Sequence, residues 1–294
     1  MATRTITIAA TLNVKDTVRG AKDPVLVGPT ELSWNTRTPD GIGSLSLQRT
    51  TDTTMEAEAW GPGAEWLLNQ APLLLGQDDD LSGFQPTGKI AEFWRRKPFL
   101  LGRTDRPWDA IVGGIFGQKV QVQNAAKARR LLARKFGEAA PGPNKGWILP
   151  SPEQVAEMGY HQFHPLGVER KRAEILIRTA RELTRIGDLT ARTPESAAAR
   201  LQRIRGIGPW TTAMVTATSM GHADAVPVGD YHIPNTIAWT LAGEARGTDE
   251  RMLELLEPYA GHRWRVIRLA KSNSSAPKYG PRLSLTGDGL HMGR

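Results

Sequence analysis

LQRIRGIGPWTTAMVTATSMGHADAVPVGDYHIPN, residues Leu201 to Asn235, holds the turn around which the 294-residue chain is organised. One helix ends in Arg205-Gly206-Ile207-Gly208, and Pro209 then takes the first position of a second helix, where its missing N–H costs nothing. Two glycines around one apolar residue let the chain reverse within four residues, because glycine adopts positive φ at little cost. Leu201, Ile204 and Ile207 are placed to pack the two helices together. A Gly- and Pro-punctuated loop follows and delivers Asp230 to the start of a further apolar segment.

The same turn suits an anion. Its free N–H groups lie beside a helix N-terminus, where unpaired donors and the positive end of the helix dipole converge. A plain turn between helices, with glycines for close packing, explains Gly-Ile-Gly equally well. The phosphate reading gains from the amphipathic helix before the turn, the Pro-Trp-Thr-Thr start after it and the basic character of the chain. Together these make a helix-hairpin-helix pattern over about 196–220. Backbone contacts of this kind are independent of base sequence.

The totals agree with a polyanionic partner. Formal net charge is +8 and the sequence pI is about 9.9, which puts nucleic acid first among partners. There are no cysteines, so disulfides, cysteine zinc sites and thiolate-held clusters are excluded. No apolar run approaches the ~20 residues of a membrane span. The N-terminus alternates like a strand instead of carrying the apolar core of a signal peptide. No membrane association and a cytoplasmic, nucleoid-associated location are therefore expected.

Taken in order, residues 1–95 read as a β-rich N-terminal domain. Strands are expected at Thr5–Ile8, at Ser44–Gln48 and, more weakly, at Thr30–Trp34, with turns at Gly28-Pro29, Pro39-Asp40-Gly41 and Gly61-Pro62-Gly63. Ala64–Gln70 starts a short helix expected to stop before Pro72. Asp78-Asp79-Asp80 reads as a solvated acidic loop. Residues 96–271 read as helices. Asp105 is the expected cap of the first, with Pro107 in its first turn. The stretch from Val120 to Phe136 is basic, Ser151-Pro152-Glu153-Gln154 is a capping box, and Gly167–Gly187 is a longer amphipathic helix. Residues 272–294 read as a flexible tail. The fold class is α+β: a mainly α-helical helix-hairpin-helix core with a smaller β-rich N-terminal domain.

Leu201–Asp230 resembles the helix-hairpin-helix/Gly-Pro-Asp superfamily of DNA glycosylases, most closely the bacterial 3-methyladenine DNA glycosylase II group. The likeness extends to Ile115–Val122 with Ala125-Ala126-Lys127, to Pro150–Glu153, and to Leu166-Gly167-Val168 with Lys171–Leu176. The first ~95 residues are only loosely similar to that group's N-terminal domain. The resemblance implies a base excision repair enzyme that flips a damaged, alkylated base out of double-stranded DNA and hydrolyses its N-glycosidic bond. It implies a monomer. The alternatives are a helix-hairpin-helix DNA-binding protein without chemistry, or a glycosylase for oxidised, deaminated or bulky lesions.

By this resemblance Asp230 is the catalytic carboxylate, aimed at the positive charge that develops on the sugar. On the bare sequence it is an N-cap. The two roles are compatible, since the positive end of a helix favours a negative group. Trp210 stands where lyase members carry a Schiff-base lysine, which implies hydrolysis without strand cleavage. Trp210, Met214, Tyr231, Phe116 and Trp264 are the implied substrate pocket, with core packing the competing explanation for both tryptophans. Met214 departs from the group's tyrosine. Gly206, Ile207, Gly208, Trp210, Thr211 and Arg205 are the implied DNA contacts. Gln118 and Lys119 join them, one of which would fill the gap left by the flipped base. No cofactor is required. The family's monovalent cation, Na or K, would sit on the main-chain carbonyls of Gln202, Ile204 and Ile207.

Overall fold

The computed structural model describes residues 1–9, 13–18, 25–27, 31–143 and 145–277. The expected turn at Gly28-Pro29, the first residue of the weak strand at Thr30 and tail residues 278–294 lie outside them.

The N-terminal part is a five-stranded sheet of order β1-β5-β4-β3-β2, from β1 (Ala2–Thr7), β2 (Val25–Val27), β3 (Glu31–Thr38), β4 (Gly41–Thr51) and β5 (Thr54–Trp60). Every neighbouring pair is antiparallel. Alternation does what the strand period requires: Leu32, Trp34, Thr36 and Thr38 of β3 are all buried while the residues between them are not. Leu45 and Leu47 pair with Trp34 and Leu32 across the ladder. β2 and β5 lie outside the three strands that the sequence predicts. The inner face of β5 is Met55, Ala57 and Ala59, and alanine gives alternation too little contrast to read from sequence.

A short helix, α1 (Val14–Thr17), follows β1, and α2 (Ala64–Leu74) covers the sheet with Leu67, Leu68, Ala71 and Leu74. α2 does not stop before Pro72; it passes through it. A proline there leaves the carbonyl of Leu68 without its helical donor, and the Arg4 guanidinium supplies one at 3.2 Å. The acidic run is a solvated loop at Asp78 and Asp80, which are exposed, but not at Asp79. The Asp79 side chain is 2% exposed and forms a bidentate pair with Arg265, itself fully buried, at 2.7 and 2.9 Å. It also accepts from the backbone N–H of Leu101 at 2.8 Å.

The remainder is helical: α3 (Gly88–Arg96), α4 (Pro107–Phe116), α5 (Val122–Phe136), α6 (Pro152–Ala156), α7 (Tyr160–Phe163), α8 (Arg170–Ile186), α9 (Pro194–Gln202), α10 (Pro209–Ser219), α11 (Ile233–Ala242), α12 (Asp249–Leu256) and α13 (Arg263–Asn273), with a two-residue ribbon, β6 and β7, at Glu138–Ala139 and Trp147–Ile148. Several starts follow local chemistry. Ser151 and Gln154 form the reciprocal capping box of α6, and Thr193 and Thr248 cap α9 and α12. Asp105 does not cap α4. Arg106 holds that position, while Asp105, at φ +48, gives its N–H to Ser219 and accepts from Gln70. Ser272 and Asn273, placed in the tail by sequence, close α13.

Two apolar clusters build this helical part. One runs from α4 to the hairpin between α9 and α10; the other joins α3 to α11, α12 and α13. α10 belongs to both, giving Val215 to the first and Ala213 and Ala217 to the second. It is therefore the beam between the halves, and the loop carrying Asp230 leaves from its C-terminal end. No helix among the described residues is long and apolar enough to cross a membrane.

Candidate active site

The hairpin turns as the sequence requires, but its two glycines differ. Gly206 has φ +102, and a Cβ there would lie 2.5 Å from Cγ1 of Ile175 on α8. The fold itself demands this glycine. Gly208, the N-cap of α10, has φ −105 and ψ −177, and a Cβ there would meet nothing within 4 Å. Among the described residues, neither backbone strain nor packing excludes a side chain at Gly208. Ile207 is buried, while Arg205 and Pro209 are exposed.

The turn between α4 and α5 is tied to this hairpin. Nε2 of Gln118 donates to the carbonyl of Gly206 at 3.1 Å and to Oγ1 of Thr211 at 3.0 Å. Its carboxamide N–H pair is thus used within the protein. Lys119 next to it is exposed and sits at φ +54, a left-handed conformation rare for residues other than glycine. From α8, Nη1 of Arg178 donates to the carbonyl of Arg205 at 2.8 Å, and Nη1 of Arg172 to that of Phe116 at 3.0 Å. Three long side chains thus set the relative positions of α4, α8 and the hairpin.

Trp210 spans from this turn to Asp230. A Cβ at Gly117 would lie 3.3 Å from Cη2 of Trp210, so the benzenoid end rests against that backbone. The indole N–H at the other end donates to Oδ2 of Asp230 at 2.9 Å. Oδ1 accepts from the N–H groups of His232 and Ile233 at 2.8 and 2.9 Å. His232, not Asp230, takes the N-cap position of α11; from two residues before it the Asp230 carboxylate accepts from the N–H groups of the cap and of the first helical residue, and it is held toward Trp210 by a second, independent donor. Next to it Tyr231 is 74% exposed, edge-on to His232 with ring centroids 4.8 Å apart.

Other implied pocket residues lie deeper. Phe116 is fully enclosed in the first helical cluster. Trp264 is 4% exposed in the second cluster, its main-chain N–H on the carbonyl of Ala223 at 2.9 Å and its buried indole N–H without an acceptor among the described residues. Met214 is partly buried against that cluster. The structure thus brings Gln118, the hairpin, Trp210 and Asp230 into one constellation and leaves Phe116 and Trp264 as core side chains in this arrangement.

Two acidic residues outside the expected set brace the loop that carries Asp230. Asp224 accepts from the N–H groups of Gly261 and Arg263 and forms a bidentate pair with the Arg263 guanidinium, which fastens the loop to the start of α13. Burial opposes its charge, but the hydrogen bonds from Arg263 outweigh it and hold the carboxyl below its ordinary value. Asp249 accepts from the N–H of Gly229. Neither bond leaves a local sequence signal, since each joins residues 20 or more positions apart. Among the described residues no group of three or more His, Asp or Glu could hold a metal ion.

Comparison with known proteins accords with this geometry. The HhH-GPD superfamily of base excision DNA repair proteins matches residues 112–260. Bacillus subtilis YfjP is 27% identical over 171 residues, 54% of this chain and 58% of its own length. The B. subtilis DNA-3-methyladenine glycosylase is 25% identical over 208 residues, 65% of this chain and 68% of its own length. The chain thus spans about three fifths to two thirds of these two relatives. The solved structure of 3-methyladenine DNA-glycosylase from Archaeoglobus fulgidus superposes with a TM-score of 0.74 at 17% identity, covering 91% of this chain and 97% of that one, and shares its fold. The match over 112–260 encloses the Gln118 turn, the hairpin, Trp210 and Asp230 alike, and the chain belongs to the HhH-GPD superfamily of base excision DNA repair proteins.

Proposed function

We propose that this protein is a monofunctional DNA glycosylase, of the 3-methyladenine DNA glycosylase II kind, that removes alkylated bases from double-stranded DNA. The observation that carries the reading is the Trp210 indole N–H on the Asp230 carboxylate, 2.9 Å away, beside a hairpin whose Gly208 faces open space. The names of the relatives supply the lesion class. In this reading the hairpin holds a phosphate and the damaged nucleotide is flipped out, at a cost of a few kcal/mol of unstacking. The C1′–N bond of the base breaks and its electron pair leaves with the base. A cationic alkylpurine departs as a neutral molecule. Asp230 stabilises the positive sugar, water forms the new bond at C1′, and one water proton is released.

Trp210 has no amine, so no Schiff base forms at that position and the backbone stays uncut. Tyr231 and Met214 line the entry for the base, while Arg205, Ile207 and Lys119 lie along the DNA. A Na or K ion on the carbonyls of Gln202, Ile204 and Ile207 would add positive charge at the hairpin; the Ile204 carbonyl also accepts from Ile207 at 3.0 Å. The enzyme acts as a monomer at the nucleoid; the β-rich part does not extend to residue 95 as a separate domain, because α3 packs with α11, α12 and α13 and Asp79 pairs with Arg265 of α13.

The test is base release from duplexes carrying 3-methyladenine, 7-methylguanine, hypoxanthine, uracil or 8-oxoguanine. Release is expected for the methylpurines, no borohydride-trapped adduct should form, and Asp230→Asn should lower the rate by about 10²–10³-fold. Wild-type release by Asp230→Asn removes Asp230 from its role. Normal duplex affinity with no release from any lesion makes the protein a DNA binder without chemistry.

A further inference from the structure

We propose that Asp249 is a positioning residue for Asp230, an inference that rests on the glycosylase reading. Its two carboxylate oxygens lie 3.0 and 3.1 Å from the backbone N of Gly229, the residue before Asp230. Gly229 turns the chain at φ +89, and a Cβ there would meet nothing within 4 Å, so side-chain packing does not define this turn. Two hydrogen bonds hold it: the N–H of Asp230 donates to the carbonyl of Pro227 at 3.2 Å within the turn, and the N–H of Gly229 donates to the Asp249 carboxylate on another helix, a charge-assisted bond.

Asp249 is itself well fixed. It is the first residue of α12, after the Thr248 cap. Two residues earlier, the N–H of Gly247 donates to Oδ1 of Asn235 at 3.0 Å, and a Cβ on Gly247 would lie 2.7 Å from both the Ala238 Cβ and the Pro234 carbonyl. The start of α12 is thus pressed onto the first turns of α11, the helix whose N-terminal N–H groups hold Oδ1 of Asp230. The path closes on itself: α11 to Gly247, Asp249 to Gly229, and Asp230 back to α11. Within this ring the carboxylate of Asp230 has one orientation, the one in which Oδ2 meets the Trp210 indole. Asp249 accepts from the backbone of Gly229 and acts through Asp230.

The test compares wild type with Asp249→Ala and Asp249→Asn, whose amide oxygen still accepts from Gly229. The first readout is the indole N–H resonance of Trp210, assigned among the nine tryptophans with Trp210→Phe. The second is single-turnover release of a methylated purine beside duplex affinity. Asp249→Ala should displace the indole resonance and slow release by about ten- to hundredfold with affinity unchanged; Asp249→Asn should restore most of both. An unmoved indole resonance in Asp249→Ala overturns the proposal, as does an equal loss of rate and affinity in both variants. If wild type releases no base from any duplex, the glycosylase reading fails, while the indole resonance still decides whether Asp249 sets Asp230.

Discussion

Replacing each hairpin glycine by alanine separates what the fold needs from what a ligand needs. At Gly206 an alanine would carry φ +102 and place its Cβ 2.5 and 2.7 Å from Cγ1 and Cδ1 of Ile175. Backbone strain at such a φ costs about 1–3 kcal/mol, and overpacking a buried contact costs about another 1–3. A loss of about 2–6 kcal/mol lowers Tm by about 5–15 °C in a chain of this size. At Gly208 the backbone already lies in a region open to alanine and the space is free. Stiffening the unfolded chain stabilises by about 0.4–1 kcal/mol, and losing glycine at an N-cap costs about as much, so Tm should hardly move. A methyl group there would instead keep a phosphate from the N–H groups of the turn. Duplex affinity should fall at least tenfold, about 1.4 kcal/mol. Calorimetry and fluorescence anisotropy at one fixed salt concentration measure the two effects separately. Wild-type affinity in Gly208→Ala would refute the hairpin as the DNA grip, and an unshifted Tm in Gly206→Ala would refute the packing argument.

Three further outcomes follow from particular contacts. Removing one member of the Asp79–Arg265 pair leaves a buried charge uncompensated, so Asp79→Ala should lose about 3–5 kcal/mol in a denaturant titration. Gln118→Ala breaks both links from the α4–α5 turn to the hairpin; single-turnover base release should fall by more than Tm implies, since loss of rate through unfolding alone would show in both. Burial holds the His222 imidazole below its ordinary value of 6.5, against the opposing pull of Glu195 and Asp224, with Arg263 adding to the depression. A depressed pKa means that the unfolded chain binds the proton first, so this contribution is present above pH 6.5 and is lost as pH falls through the folded value. His222→Gln should flatten the Tm profile in that acidic window, and an unchanged slope would assign it to other groups.

The extent to which the site could be read in advance depended on range. Gly206, Ile207, Gly208 and Pro209 act through dihedral preference and burial within one turn, and the Ser151 box needs three residues; such signals lie in adjacent letters. Asp230 could be read as a helix start for the same reason. Its assignment to chemistry needed the resemblance, and its hydrogen bond to Trp210, 20 residues away, needed the fold. Phe116 and Trp264 went the other way: their types fit an aromatic pocket, but their positions in α4 and α13 turn them into the two helical cores. Nothing in a local window separates an aromatic that faces a pocket from one that faces a core.

The sequence alone thus determined the hairpin, the helix starts at Ser151 and Thr193 and the alternation of β1, β3 and β4, because these depend on φ preferences, caps and periodicity over a few residues. The tertiary structure alone decided that the helix passes through Pro72, with Arg4 meeting the freed carbonyl of Leu68 across 64 residues, that the Asp79 side chain is buried because Arg265 meets it across 186, and that Gln118 is tied to the hairpin across 88. In each case the partner of a polar group is set by chain topology, and a side chain's role is fixed by the group that satisfies its hydrogen bonds.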